Sequence, residues 1–169
     1  MSRAAVAIAL LGCVVAAYGA PAEAHDDSKA EWTGKSWMGK WESTDRIENF
    51  DAFIAALGLP LEQYGGNHKT YHKIWKEGDH YHHQISVPDK NYKNDVNFKL
   101  GEEGTTQHNN TEIKYKYTED AGNLKAEVHV PSRNKVIHDE YKVNGDELEK
   151  TYKVGDVTAK RWYKKSSST

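Results

Sequence analysis

Nine histidines occur among 169 residues. Three of them fall in the run His80-Tyr81-His82-His83-Gln84, with His72 a short way upstream. Imidazole ligates metals and changes charge near neutral pH, so this run could hold an ion, handle a proton, or simply decorate a strand. At spacing two, His80 and His82 share one face of an extended chain. They can offer two zinc ligands, but a structural zinc site takes four, and the pair alone is a weak surface metal candidate. His83 lies on the other face. A turn at Glu77-Gly78 pairs Lys76 with Asp79, which sets His72 opposite His83, Ile74 opposite Tyr81 and Trp75 opposite His80. With an ordinary pKa near ~6.5, His72 and His83 would change charge in mildly acidic compartments.

These residues need a scaffold, and its beginning is not the first residue. Met1 to Ala24 has a basic start at Arg3, an apolar run from Ala4 to Ala17 and then small residues. That is the layout of a secretory signal peptide, too short to span a bilayer comfortably; cleavage is expected after Gly19 or Ala24. The single cysteine, Cys13, lies inside it, so the exported chain should have no disulfide and no thiol chemistry. About 145 residues remain, one domain's worth. With 23 basic and 25 acidic residues mixed along the chain and no basic block, nucleic acid is not an expected partner. Residues 25–36 read as a flexible arm in which Trp32 could dock, and 166–169 as a disordered tail.

From Trp37 to Lys165 the pattern is mostly strand. Segments of eight to ten residues are separated by turn signals at 76–79, 120–123, 144–147 and 154–157. Residues 48–58 break this pattern, with Phe50, Phe53, Ile54 and Leu57 at helical spacing and Gly58 placed to stop the helix. A second short helix is expected from Pro60 to Tyr64, ended by Gly65-Gly66. One strand, two short helices and about nine further strands suggest an antiparallel sheet that closes on itself.

The segments WMGKW (37–41), NFDAFIAALG (49–58), NFKLGEE (97–103), NGDEL (144–148) and RWYKK (161–165) occur in the order seen in fatty-acid-binding proteins. The chain resembles that family over residues 37–165. The resemblance implies an all-β fold: a ten-stranded antiparallel up-and-down barrel, or β-clam. A helix-turn-helix lid lies between the first two strands, with Phe50, Phe53, Ile54 and Leu57 as its packing residues. Within would be a water-filled cavity for a fatty acid, retinoid or related lipid. Two departures stand out: one extra residue between Trp41 and Asn49, and a truncated second helix.

The family holds its ligand's carboxylate with an Arg-x-Tyr pair on the last strand and a second arginine two strands earlier. Arg161-Trp162-Tyr163 matches the pair, but Glu140 takes the second arginine's place. A guanidinium fork grips a carboxylate bidentately. If Val143 pairs with Glu147, Glu140 falls opposite Lys150, and a turn at Gly155-Asp156 sets Lys150 opposite Arg161. The expected inward row Glu140–Lys150–Arg161 leaves a net positive site for an acidic head group. Its plain alternative is an ion network that satisfies itself. A two-residue Asn-Gly turn would bring Asp139 to the row instead. By the family's pattern His72, Ile74, Tyr81 and His83 face the cavity, while Trp75, His80 and His82 face water. His138, opposite Tyr152, is also expected inside.

The reading that follows is a secreted carrier of a small hydrophobic acid, monomeric, with transient membrane contact and no cofactor. A histidine-lined cavity also suits acid–base chemistry of the luciferase, oxygenase or isomerase kind through His72, His83 and His138. An extracellular storage protein is the third reading. Asn109-Asn110-Thr111 is a glycosylation sequon at a turn.

Overall fold

The structure, a computed structural model, describes residues 27–108 and 111–167. The expected signal peptide and the Asn109 sequon lie outside the described residues. Ten strands form one antiparallel sheet: β1 (Gly39–Glu48), β2 (Tyr71–Glu77), β3 (His80–Val87), β4 (Tyr92–Phe98), β5 (Glu103–His108), β6 (Thr111–Asp120), β7 (Asn123–Val130), β8 (Lys135–Asn144), β9 (Glu147–Val154) and β10 (Val157–Lys165). Two short helices, α1 (Phe50–Ala56) and α2 (Leu61–Tyr64), connect β1 to β2. The spatial order β4-β3-β2-β1-β10-β9-β8-β7-β6-β5 wraps the first strand against the last and leaves β4 and β5 as the two edges. Side chains draw these edges together. Phe98 at the end of β4 stacks on Tyr117 of β6 at 3.9 Å, and the Tyr115 hydroxyl donates to the Asn97 carbonyl at 2.8 Å. Gly104 on β5 lies directly under the Tyr115 ring, where any Cβ would collide with it.

The strands alternate inward and outward residues. β9 buries Leu148, Lys150, Tyr152 and Val154 at every second position, the period a strand packed on one face must show. Corner turns with an initial proline and a left-handed asparagine join β3 to β4 (Pro88 to Asn91, φ 50°) and β7 to β8 (Pro131 to Asn134, φ 51°). Proline presets the first turn dihedral and asparagine tolerates the left-handed region. In β1 the pairing to β10 moves from Ser43–Tyr163 to Ile47–Arg161, so four steps on β1 match two on β10.

The core has two apolar clusters at opposite ends of β7. One, including Val130, gathers beneath the helices with Phe50, Phe53, Ile54, Leu57, Tyr152 and Val154. The other, including Leu124, surrounds Trp37, Trp41, Phe98 and Tyr163. Trp37 is fully buried there and donates through its indole N–H to Glu119 at 3.0 Å. The arm does not trail free over its described part. Glu31 exchanges backbone hydrogen bonds with Lys76, and Trp32 packs on Trp75 at 5.2 Å. Among the described residues no helix is long and apolar enough to cross a membrane.

Candidate functional site

Between the two apolar clusters lies a band of buried polar side chains: Ser43, Thr70, His72, His83, Asp139, Lys150 and Arg161. Each reaches it from the inward face of a different strand or loop, so the ladder register decides membership. Arg161 pairs with Lys150 across β10 and β9, as the Gly155-Asp156 turn requires. The β8–β9 turn, however, is Gly145-Asp146. It pairs Asn144 with Glu147 and sets Tyr141, not Glu140, opposite Lys150. This slip of one residue reverses the inward face of β8. Asp139 points in and forms a buried ion pair with Lys150 at 3.2 Å. Glu140 turns outward and accepts from Asn123 at 3.0 Å. His138, expected inside, pairs with Lys153 and lies 57% exposed, 3.7 Å from Glu127.

The Lys150 ammonium also lies over the rings of Tyr152 and Tyr141, at 4.3 and 4.9 Å. Such cation–π contacts help offset the cost of burying a charge. Arg161 donates to the Thr70 hydroxyl at 3.1 Å, to the Asn67 side-chain carbonyl at 3.0 Å and to the backbone carbonyl of His68. It thereby clasps the segment that follows α2. Its guanidinium also lies 5.5 Å from the Phe50 ring of α1. The Tyr163 and Tyr152 hydroxyls meet at 3.1 Å. Burial pushes the Asp139 carboxyl up, opposed by the adjacent Lys150 charge; burial likewise keeps the Tyr141 and Tyr152 phenols protonated.

The two inward histidines meet each other. The β2–β3 turn is Gly78-Asp79, so the pairing is His72–Ile85, Ile74–His83, Trp75–His82 and Lys76–Tyr81, two residues from the expected register. An even shift preserves the faces, and His72 and His83 are both fully buried. His72 Nδ1 and His83 Nε2 are 2.8 Å apart, and His83 Nδ1 is 3.0 Å from the Tyr117 hydroxyl. Either direction of proton donation along this chain is consistent with neutral rings. Burial first, and the Lys150 charge second, hold the His72 pKa well below the usual value and push that of His83 down to about 3. The expectation that both rings titrate in mildly acidic surroundings is therefore corrected: within the fold they stay neutral. His72 Nε2 and Asp139 Oδ1 are buried without a hydrogen-bond partner among the described residues. Tyr81 is half-buried and stacks on Phe98 at 5.3 Å.

On the outer face, Trp75 and His82 do not simply face water. Trp75 is buried between Trp32 and the His82 ring, which stacks on it at 4.7 Å with an interplanar angle of 2°. His82 is itself buried, whereas His80 is only half-buried. The docked arm covers this patch, and its contacts are invisible to a pattern argument confined to two strands.

His72, His83, Lys150, Arg161 and Tyr163 show 0% exposure, so the polar band is closed to bulk solvent. Phe50 and Phe53 of α1 reach down onto Tyr152, at 5.7 and 5.2 Å.

A ten-stranded barrel with two helices between its first two strands is the β-clam of fatty-acid-binding proteins. The chain superposes on a Schistosoma mansoni fatty acid binding protein in complex with arachidonic acid with a TM-score of 0.69 and 26% identity, over 78% of this chain and 97% of that one. It is 34% identical to fatty acid-binding protein 1 of Manduca sexta, over 76% of this chain and 98% of the relative. Much nearer are secretory-abundant heat soluble protein 1 of Ramazzottius varieornatus, 96% identical over the full length of both chains, and a crystal structure from the same organism, 97% identical with a TM-score of 0.79 over 80% of this chain and 99% of that one. No family model matches the chain. The chain belongs to the secretory-abundant heat soluble proteins, a secreted family distantly related to fatty-acid-binding proteins.

Proposed function

We propose that the protein is an extracellular carrier for a small hydrophobic ligand with an acidic head group, working as a monomer. The observation that carries this reading is the pair Arg161 and Tyr163, both fully buried on the inward face of β10, where the resemblance to fatty-acid-binding proteins puts the carboxylate anchor. The Arg161 guanidinium suits an anionic head group, and His72 Nε2, buried without a hydrogen-bond partner among the described residues, offers it a further polar contact. The tail would lie against Phe50, Phe53 and Tyr152 once the lid has moved. Unloading by brief contact of α2 with a membrane fits the exposed Leu61 on that helix.

Displacement of a fluorescent fatty acid from the delipidated protein tests the reading. The acid should bind at least ten-fold more tightly than the alcohol of equal chain length. Arg161→Ala should remove that preference, since a hydrogen bond to a charged group contributes about 1.5–3 kcal/mol. Arg161→Gln, which retains donors for Thr70 and Asn67, guards against simple unfolding. Equal affinity for acid and alcohol in the unsubstituted protein would sink the proposal. Acid–base catalysis has less support: rings held neutral by burial and a nearby ammonium make weak bases, and His138 faces outward.

A further inference from the structure

The outward face of the β2–β3 hairpin carries a second constellation with no part in ligand binding. Glu77 on β2 pairs directly with His80 on β3, and His82 follows two residues on along the same face. Each of the three offers a donor atom within 4.8 Å of the others. From this geometry we propose that Glu77, His80 and His82 form a binding site for a divalent transition-metal ion of the zinc class.

Three features set this group apart from scattered surface histidines. The His82 Nε2 and a Glu77 oxygen are already 3.2 Å apart, close to the roughly 3.4 Å edge of a tetrahedron built on zinc–nitrogen distances near 2.1 Å. The His82 ring is held in one plane by the parallel stack on Trp75. Behind it, the Asp95 carboxylate lies 3.4 Å from His82 Nδ1. A carboxylate on the far ring nitrogen fixes the tautomer that presents Nε2 to a metal. Two imidazoles and one carboxylate with open positions for water suit zinc, nickel or copper rather than calcium or magnesium, which prefer all-oxygen shells. The side chains are 35%, 25% and 10% exposed for His80, Glu77 and His82, so an ion can reach them from solvent. Asp79 in the turn is held by Lys99 at 2.7 Å and lies beside the site without belonging to the trio.

Zinc titration of the untagged secreted protein, followed by calorimetry and by tryptophan emission, tests the proposal. Trp75 touches a ligand ring, so its emission should change on binding. One zinc ion per chain should bind, His82→Gln should weaken it at least ten-fold, and Asp95→Asn should weaken it by roughly ten- to a hundred-fold. Glu127→Gln disrupts the other outward carboxylate–histidine group, with His129 and His138, and should change nothing. Circular dichroism of each variant separates lost binding from lost fold. Unaltered affinity in His82→Gln, or loss confined to Glu127→Gln, overturns the assignment.

Discussion

His72 and His83 are the residues whose chemistry the fold changes most. In the unfolded chain they take up protons near pH ~6.5; in the fold burial and Lys150 prevent this until far lower pH, about 3 for His83. A folded pKa below the unfolded one means a stabilising contribution present in full above pH ~6.5 and lost as pH falls through that window. Each ring should remove about 1.4 kcal/mol per pH unit. Urea midpoints at pH 6.5 and 5 should therefore differ, and His83→Gln should shrink the difference by ~2 kcal/mol. The same loss in both proteins would show that the ring titrates normally. The turn between β2 and β3 puts these two rings on one face of the hairpin, and the resemblance to fatty-acid-binding proteins implies that this face is the inward one. Their contact, and their charge state, depend on Tyr117 and Lys150, which alternation within one hairpin cannot locate.

At the scale of elements, α1 is closed by backbone hydrogen bonds from Gly58 to Ala55 and from Leu59 to Ile54, at 2.9 and 3.2 Å. This is a Schellman ending, with Gly58 left-handed at φ 73°. Arg133, from the β7–β8 corner, donates to the Leu57 carbonyl at 2.8 Å and ties the helix to the barrel rim. Gly58→Ala should cost about 1 kcal/mol in urea unfolding and speed amide exchange through α1; slow, unaltered exchange would mean the lid is held by packing alone. Gly58 and the Phe50, Phe53, Ile54 and Leu57 spacing make this helix legible from the sequence. The hairpins are less so, because a turn centred one residue away still contains the same glycine and aspartate. Displacing the β2–β3 register by two left His83 inside, whereas displacing β8 against β9 by one exchanged Glu140 for Asp139 and expelled His138.

Over the whole molecule, the up-and-down order of strands follows from turn spacing and the family's motifs. The make-up of the buried polar band does not, since it depends on the register of several hairpins and on how α1 packs against Tyr152. The end opposite the lid relies on Trp37, fully buried among Trp41, Phe98 and Tyr81. Trp37→Ala should destabilise by about 3–5 kcal/mol, read from thermal or urea unfolding; a loss under ~1 kcal/mol would mean that neighbouring rings refill the space. Tyr117 links the two levels of organisation. Its ring closes the gap between β4 and β6 by stacking on Phe98, and its hydroxyl ends the His83–His72 chain. The seam between the β4 and β5 edges and the histidine pair therefore share one side chain. A side chain that seals the wall is thus also the outermost member of the polar chain within it, and Tyr117→Phe, which keeps the stack and removes the hydroxyl, separates the two roles.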